Sequence, residues 1–64
     1  MKVGTYATDK SDSSRFYRSV YQVTGESFDR SIVRRVGEIV NGRLECRGDH
    51  GVTHRLTINL QEWR

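Results

Sequence analysis

No apolar stretch in this chain is longer than two residues, as at Ile32-Val33 and Ile39-Val40. A membrane-spanning helix needs about twenty consecutive apolar residues, so the sequence holds no candidate for one. Any core must therefore be assembled from residues spaced along amphipathic elements. Apolar residues make up only 34% of the 64-residue chain, yet their periodicity argues for a small folded unit over disorder. The length allows one domain, 1–64, with a thin core. Met1-Lys2-Val3-Gly4-Thr5 is polar and lacks the apolar region of a signal peptide. Cys46 is the single cysteine, so no internal disulfide is expected, and a cytoplasmic location is.

The strongest periodic signal predicts a helix. Phe28, Ile32, Val33, Val36, Ile39 and Val40 fall on one stripe of a 3.6-residue repeat. Ser27 suits the N-cap, Asp29 suits the first turn, and Asn41-Gly42 supplies a left-handed stop. Gly37 lies opposite the stripe and costs about 1 kcal/mol relative to alanine in a helix.

A β-hairpin is predicted next. Leu44 and Cys46 alternate on its first strand, and Val52, His54, Leu56, Ile58 and Leu60 on its second. A loop at Asp49-His50-Gly51, closed by Gly48 opposite Val52, lets both sets share a face. That register sets Leu44 opposite Leu56, Cys46 opposite His54, and Glu45 opposite Arg55 as a cross-strand charge pair. Residues 1–8 read as a short strand and 9–14 as a flexible polar loop; in 15–24 the spacing of Phe16, Val20 and Val23 suits a helix, but the density of Tyr, Phe, Val and Thr favours a strand. The expected fold is α+β: a small ββαββ domain with one helix packed across an antiparallel sheet. Ile32, Val36, Ile39, Leu44, Leu56 and Ile58 are its expected core. Open strand edges predict a monomer or a weak homodimer.

Eleven basic residues against eight acidic ones leave a net charge of +3. Nine of the eleven are arginine, whose planar fork of donors suits phosphate, carboxylate and aromatic faces better than the point charge of lysine. Lys2 and Lys10 cancel Asp9 and Asp12, so the excess lies after position 14. This balance favours an anionic partner.

Catalytic and metal-binding chemistry finds little footing. Cys46 beside His54 supplies two soft ligands where zinc needs three or four, so no metal or other cofactor is expected. The same pair lies on the face assigned to the core, unlike a reactive thiolate. Asp9 and Asp12 have no apolar pocket to raise a pKa. Phosphate-loop glycine patterns are absent, and Arg47-Gly48-Asp49 is an integrin-type tripeptide by chance. The chain is therefore not expected to be an enzyme. What remains is a binding surface. Odd-numbered hairpin residues, Arg43, Arg47 and Arg55 among them, face away from the predicted helix, and Tyr17 and Tyr21 join them. Arg30 and Arg34 lie one turn apart on the outer helix face. Arginines interleaved with tyrosines suit phosphates and bases, and equally the hot spots of protein interfaces.

The order of an amino-terminal strand pair, one helix and a hairpin, with Ser27-Phe28 opening the helix and Trp63 near the end, resembles some small phage-encoded anti-CRISPR inhibitors. That resemblance implies a blocking protein that occupies a surface of a nucleic-acid-handling, CRISPR-like complex in a bacterial host cell, and it transfers no functional residue. Two functions follow as expectations: a non-catalytic inhibitor binding a protein complex through the Arg/Tyr face, or a small basic module or transcriptional regulator binding nucleic acid directly.

Overall fold

The computed structural model describes residues 1–12, 16–45 and 53–63. Within them lie six strands: β1 (Tyr6–Asp9), β2 (Tyr17–Ser27), β3 (Arg30–Val40), β4 (Arg43–Glu45), β5 (Arg55–Thr57) and β6 (Leu60–Glu62). They form one sheet in the order β4-β3-β2-β1-β6, with β5 also pairing β3, and every pairing is antiparallel. No helix occurs among the described residues, so none there is long and apolar enough to cross a membrane. The expected α+β fold is thus corrected to an all-β one.

The predicted helix is strand β3. Five of the six residues in its apolar stripe (Ile32, Val33, Val36, Ile39 and Val40) are β-branched, and these lose side-chain freedom in a helix but pack well on a pleated surface. A break in the strand's own period explains the helical look. Val20 pairs with Gly37 and Tyr21 with Arg35, which leaves Val36 as the extra residue of a bulge. A two-residue alternation shifted by one mimics a 3.6-residue repeat. Asn41 and Gly42 are indeed left-handed, at φ 50° and 79°. They form the two-residue turn between β3 and β4, where paired positive φ values mark a type I′ hairpin.

The expected hairpin register is also corrected. Leu44 lies opposite Ile39, and Leu56 opposite Ile32, because β4 and β5 pair with successive halves of β3 and not with each other. Glu45 faces Glu38, and Arg55 faces Val33. Cys46, Arg47 and the predicted loop at 48–52 lie outside the described residues.

Chain connectivity makes this sheet curl. Laid flat, β5 and β6 would be separated by β3, β2 and β1, about 19 Å at the usual strand spacing. Only Ile58 and Asn59 join Thr57 to Leu60, a reach of about 11 Å at most. The sheet must therefore roll toward closure as an incomplete barrel. Two irregularities in the β2–β3 ladder, at Val20/Tyr21 and Val23/Gly25, supply the bend. At the second, Thr24 is the extra residue, and its hydroxyl donates to the Ile32 carbonyl at 3.3 Å.

The closing connection is pinned by Asp9. Its carboxylate accepts hydrogen bonds from Asn59 Nδ2 (2.9 Å), Arg55 Nη2 (3.2 Å), and the backbone N–H and hydroxyl of Ser11 (2.9 and 2.7 Å). The Lys10 N–H donates to the Asn59 carbonyl at 2.8 Å. The Ser11 hydroxyl and N–H, then Arg55 and Asn59, hold the Asp9 carboxyl below its ordinary pKa, with burial opposing them.

Inside the curl, Ala7, Val23, Val33 and Leu60 form the buried cluster, with Tyr21 packed on it. The expected core residues lie elsewhere: Leu44, Leu56 and Ile58 are exposed, and Ile32, Val36 and Ile39 are half-buried. Without a covering helix, Leu44 and Leu56 of the even-numbered set lie outward, while Leu60 of the same set is buried in the cluster.

Candidate binding face

Directly opposed residues of an antiparallel ladder share a face, so the registers sort the strand side chains into two sets. One set contains the buried cluster and is called the core face. It includes Ala7, Asp9, Tyr17, Ser19, Tyr21, Val23, Glu26, Ser31, Val33, Arg35, Glu38, Val40, Arg43, Glu45, Arg55, Leu60 and Glu62. Every carboxylate on the six strands is in this set. The outer face takes the alternate positions: Tyr6, Thr8, Arg18, Val20, Gln22, Arg30, Ile32, Arg34, Ile39, Leu44, Leu56 and Gln61. It carries three arginines and no strand carboxylate.

Two arginines of the core face, Arg35 and Arg55, are drawn into internal contacts. Arg35 donates to Tyr17 Oη at 2.6 Å, to Ser19 Oγ at 3.2 Å and to Glu38 Oε2 at 3.1 Å. This ion pair also relieves the like charges of Glu38 and Glu45 across the ladder. Arg55 pairs with Asp9, and its guanidinium lies 4.4 Å above the centre of the Tyr21 ring. Among the candidates from sequence, Arg55, Tyr21 and Tyr17 are thus committed to holding the sheet. Arg43 is exposed on this same face, opposite Val40, and Arg47 lies outside the described residues.

On the outer face the arrangement differs. Arg30, Ile32 and Arg34 alternate along β3, and Leu56 lies opposite Ile32 on β5. Arg30 and Arg34 are exposed; Arg30 Nε is 3.9 Å from the exposed Asp29 carboxylate, and Arg34 makes no ion pair among the described residues. An open groove of about 260 Å³ lies here, lined by Ser27, Ile32, His54, Arg55 and Leu56. His54 Nδ1 stands 3.3 Å from Thr24 Oγ1.

A row then runs across the sheet from Arg34 to Gln22 to Tyr6. The β1–β6 register, continued by one residue, adds Trp63, whose N–H donates to the Tyr6 carbonyl at 3.0 Å. The Tyr6 and Trp63 rings meet edge to face, 6.5 Å apart and 89° to each other. The next row, Thr8 and Val20 with Gly37, is buried and separates this surface from Leu44, which is exposed beyond it.

Arg30 and Arg34 share a face of β3 as they would have shared one of the expected helix, since residues four apart do so in both. Sequence reasoning missed Tyr6, Gln22 and Trp63. Their signal was the alternation of residues 6–9 and 60–63, which becomes informative only when β1 and β6 are known to be neighbours. Among the described residues, no group of three or more His, Cys, Asp or Glu is placed to hold a metal ion. Comparison with protein-family models, with curated proteins and with solved structures finds no match to this chain.

Proposed function

We propose that this protein is a non-catalytic binding protein whose outer sheet face docks on an anionic macromolecular surface. The observation that carries this reading is the segregation of charge. Strand carboxylates all share the core face, where Glu38 pairs with Arg35 and Asp9 with Arg55, while Arg30 and Arg34 occupy a face without strand carboxylates. A surface needed only for solubility would mix both signs. The partner class is a nucleic acid, or a complex that handles one and offers an acidic patch. A phage-type inhibitor of such a complex is a special case. The layout that carried that resemblance included a helix, so the proposal rests on the arginines alone.

Retention on heparin tests it. The double variant Arg30→Glu/Arg34→Glu should elute at clearly lower salt than Lys2→Glu/Lys10→Glu, which carries the same net charge. Equal elution of the two variants would show that only total charge matters and would contradict a dedicated face.

A further inference from the structure

Resting on that reading, we infer that the outer face is a platform for single-stranded nucleic acid, with phosphates on Arg30 and Arg34 and bases on the Ile32–Leu56 groove and the Tyr6–Trp63 pair. Three features converge on this occupant.

The first is spacing. Arg30 and Arg34 are four residues apart on one strand, about 13 Å, and the apolar groove floor at Ile32 lies between them. Cations flanking an apolar recess match a chain that alternates phosphate and base. An acidic protein patch would require the cations but not the recess.

The second is the aromatic pair. In an edge-to-face arrangement the ring that presents its edge keeps both of its π faces clear of the other. Tyr6 is 43% exposed and Trp63 is partly exposed, so base-sized flat surfaces are available two or three strands from Arg34. Stacking on such rings tolerates any base and needs bases freed from a duplex. The amide of Gln22, between Arg34 and Tyr6, can donate to or accept from a base edge.

The third is the charge pattern. With no strand carboxylate on this face, the row from Arg34 through Gln22 to Tyr6 carries no acidic side chain, and the carboxylate beside Arg30 belongs to the turn residue Asp29 at 3.9 Å.

The test uses the intact chain and three probes: fluorescently labelled oligo(dT), a labelled duplex, and heparin as a polyanion without bases. Because Trp63 is the single tryptophan, its emission reports stacking directly. Oligo(dT) should quench it and heparin should not. Oligo(dT) should bind about tenfold tighter than the duplex. Tyr6→Ala should weaken oligo(dT) about tenfold, the size expected for one stacked base, while leaving heparin unchanged. Leu56→Ser, at an exposed position outside the buried cluster, should do the same by a smaller factor and guards against a folding defect in the first variant. If oligo(dT), duplex and heparin bind alike and neither variant discriminates, the platform is wrong although the anionic-surface reading stands. If none of the three binds and the partner captured is a nuclease-resistant acidic protein, the platform is again overturned and only a protein-binding form of the reading survives. Failure to bind any anionic partner would remove both.

Discussion

The two faces of the curled sheet are built from neighbouring residues of the same strands, yet they use arginine in opposite ways. On the core face, Arg35 and Arg55 each hold a carboxylate and an aromatic side chain, and those contacts tie β2 to β3 and β5 to β1. On the outer face, Arg30 and Arg34 flank Ile32 and stand clear of strand carboxylates. Alternation along a strand is enough to sort the same residue type onto a face with carboxylate partners and a face without strand carboxylates. The comparison also explains where apolar exposure sits. Leu56 is 52% exposed on the outer face, while Val33, one residue from its ladder partner Ile32, is fully buried on the other.

This contrast can be broken most severely at its buried side. Val33→Ala removes two methyl groups from a fully enclosed site and should cost about 2–3 kcal/mol. Leu56→Ala removes more carbon and should cost less than about 1 kcal/mol. Urea titration of the two variants would reverse the assignment of faces if Leu56→Ala were the more damaging.

The next largest effect concerns function. Arg30→Glu/Arg34→Glu should weaken a polyanion at least tenfold, about 1.4 kcal/mol, with an unchanged melting temperature. Arg35→Gln should do the reverse, lowering the melting temperature and sparing binding, since its guanidinium is engaged with Tyr17, Ser19 and Glu38. Anisotropy titrations beside thermal melts would expose any crossing of these roles.

A smaller effect follows from the Asp9 latch. Its folded-state pKa is depressed, chiefly by Ser11 and then by Arg55 and Asn59. The stabilisation is therefore present above the unfolded carboxylate pKa and is lost as pH falls through the folded value, below about 4. Because Arg55 is half exposed, the ion pair should contribute no more than about 1 kcal/mol. Asp9→Asn should flatten the acid limb of the stability curve, and an identical limb would mean that the closing connection is held by other contacts.

The smallest effect lies at the β2–β3 turn. Phe28 is fully exposed at φ 52°, a left-handed conformation that a bulky residue adopts at a cost. Phe28→Gly should stabilise the fold by about 0.5–1 kcal/mol, measurable as a small rise in melting temperature.

The sequence carried part of this. The strand at 15–24 was legible from its β-branched and aromatic density and is observed as Tyr17–Ser27. Asn41-Gly42 announced positive φ, but a left-handed pair ends a helix and turns a hairpin alike, and the bulge at Val36 tipped the reading toward helix. The hairpin register was internally consistent, with Glu45 and Arg55 neatly opposed. It failed because the long edge of β3 offers both β4 and β5 a partner, a competition that local pattern does not display. The outer face was half legible for a related reason. Arg30 and Arg34 share a side in either structure, whereas Tyr6 and Trp63 meet only through the non-local β1–β6 pairing.

The central claim, that the outer face meets the anionic partner and the core face does not, is tested most directly by amide and indole NMR shifts during an oligo(dT) titration. The account predicts shifts concentrated at Tyr6, Gln22, Arg30, Ile32, Arg34 and the Trp63 indole, with Tyr17, Arg35, Arg43 and Glu38 nearly still. Shifts concentrated instead at Tyr17, Arg35 and Arg43 would contradict it and move the binding site to the core-face arginines.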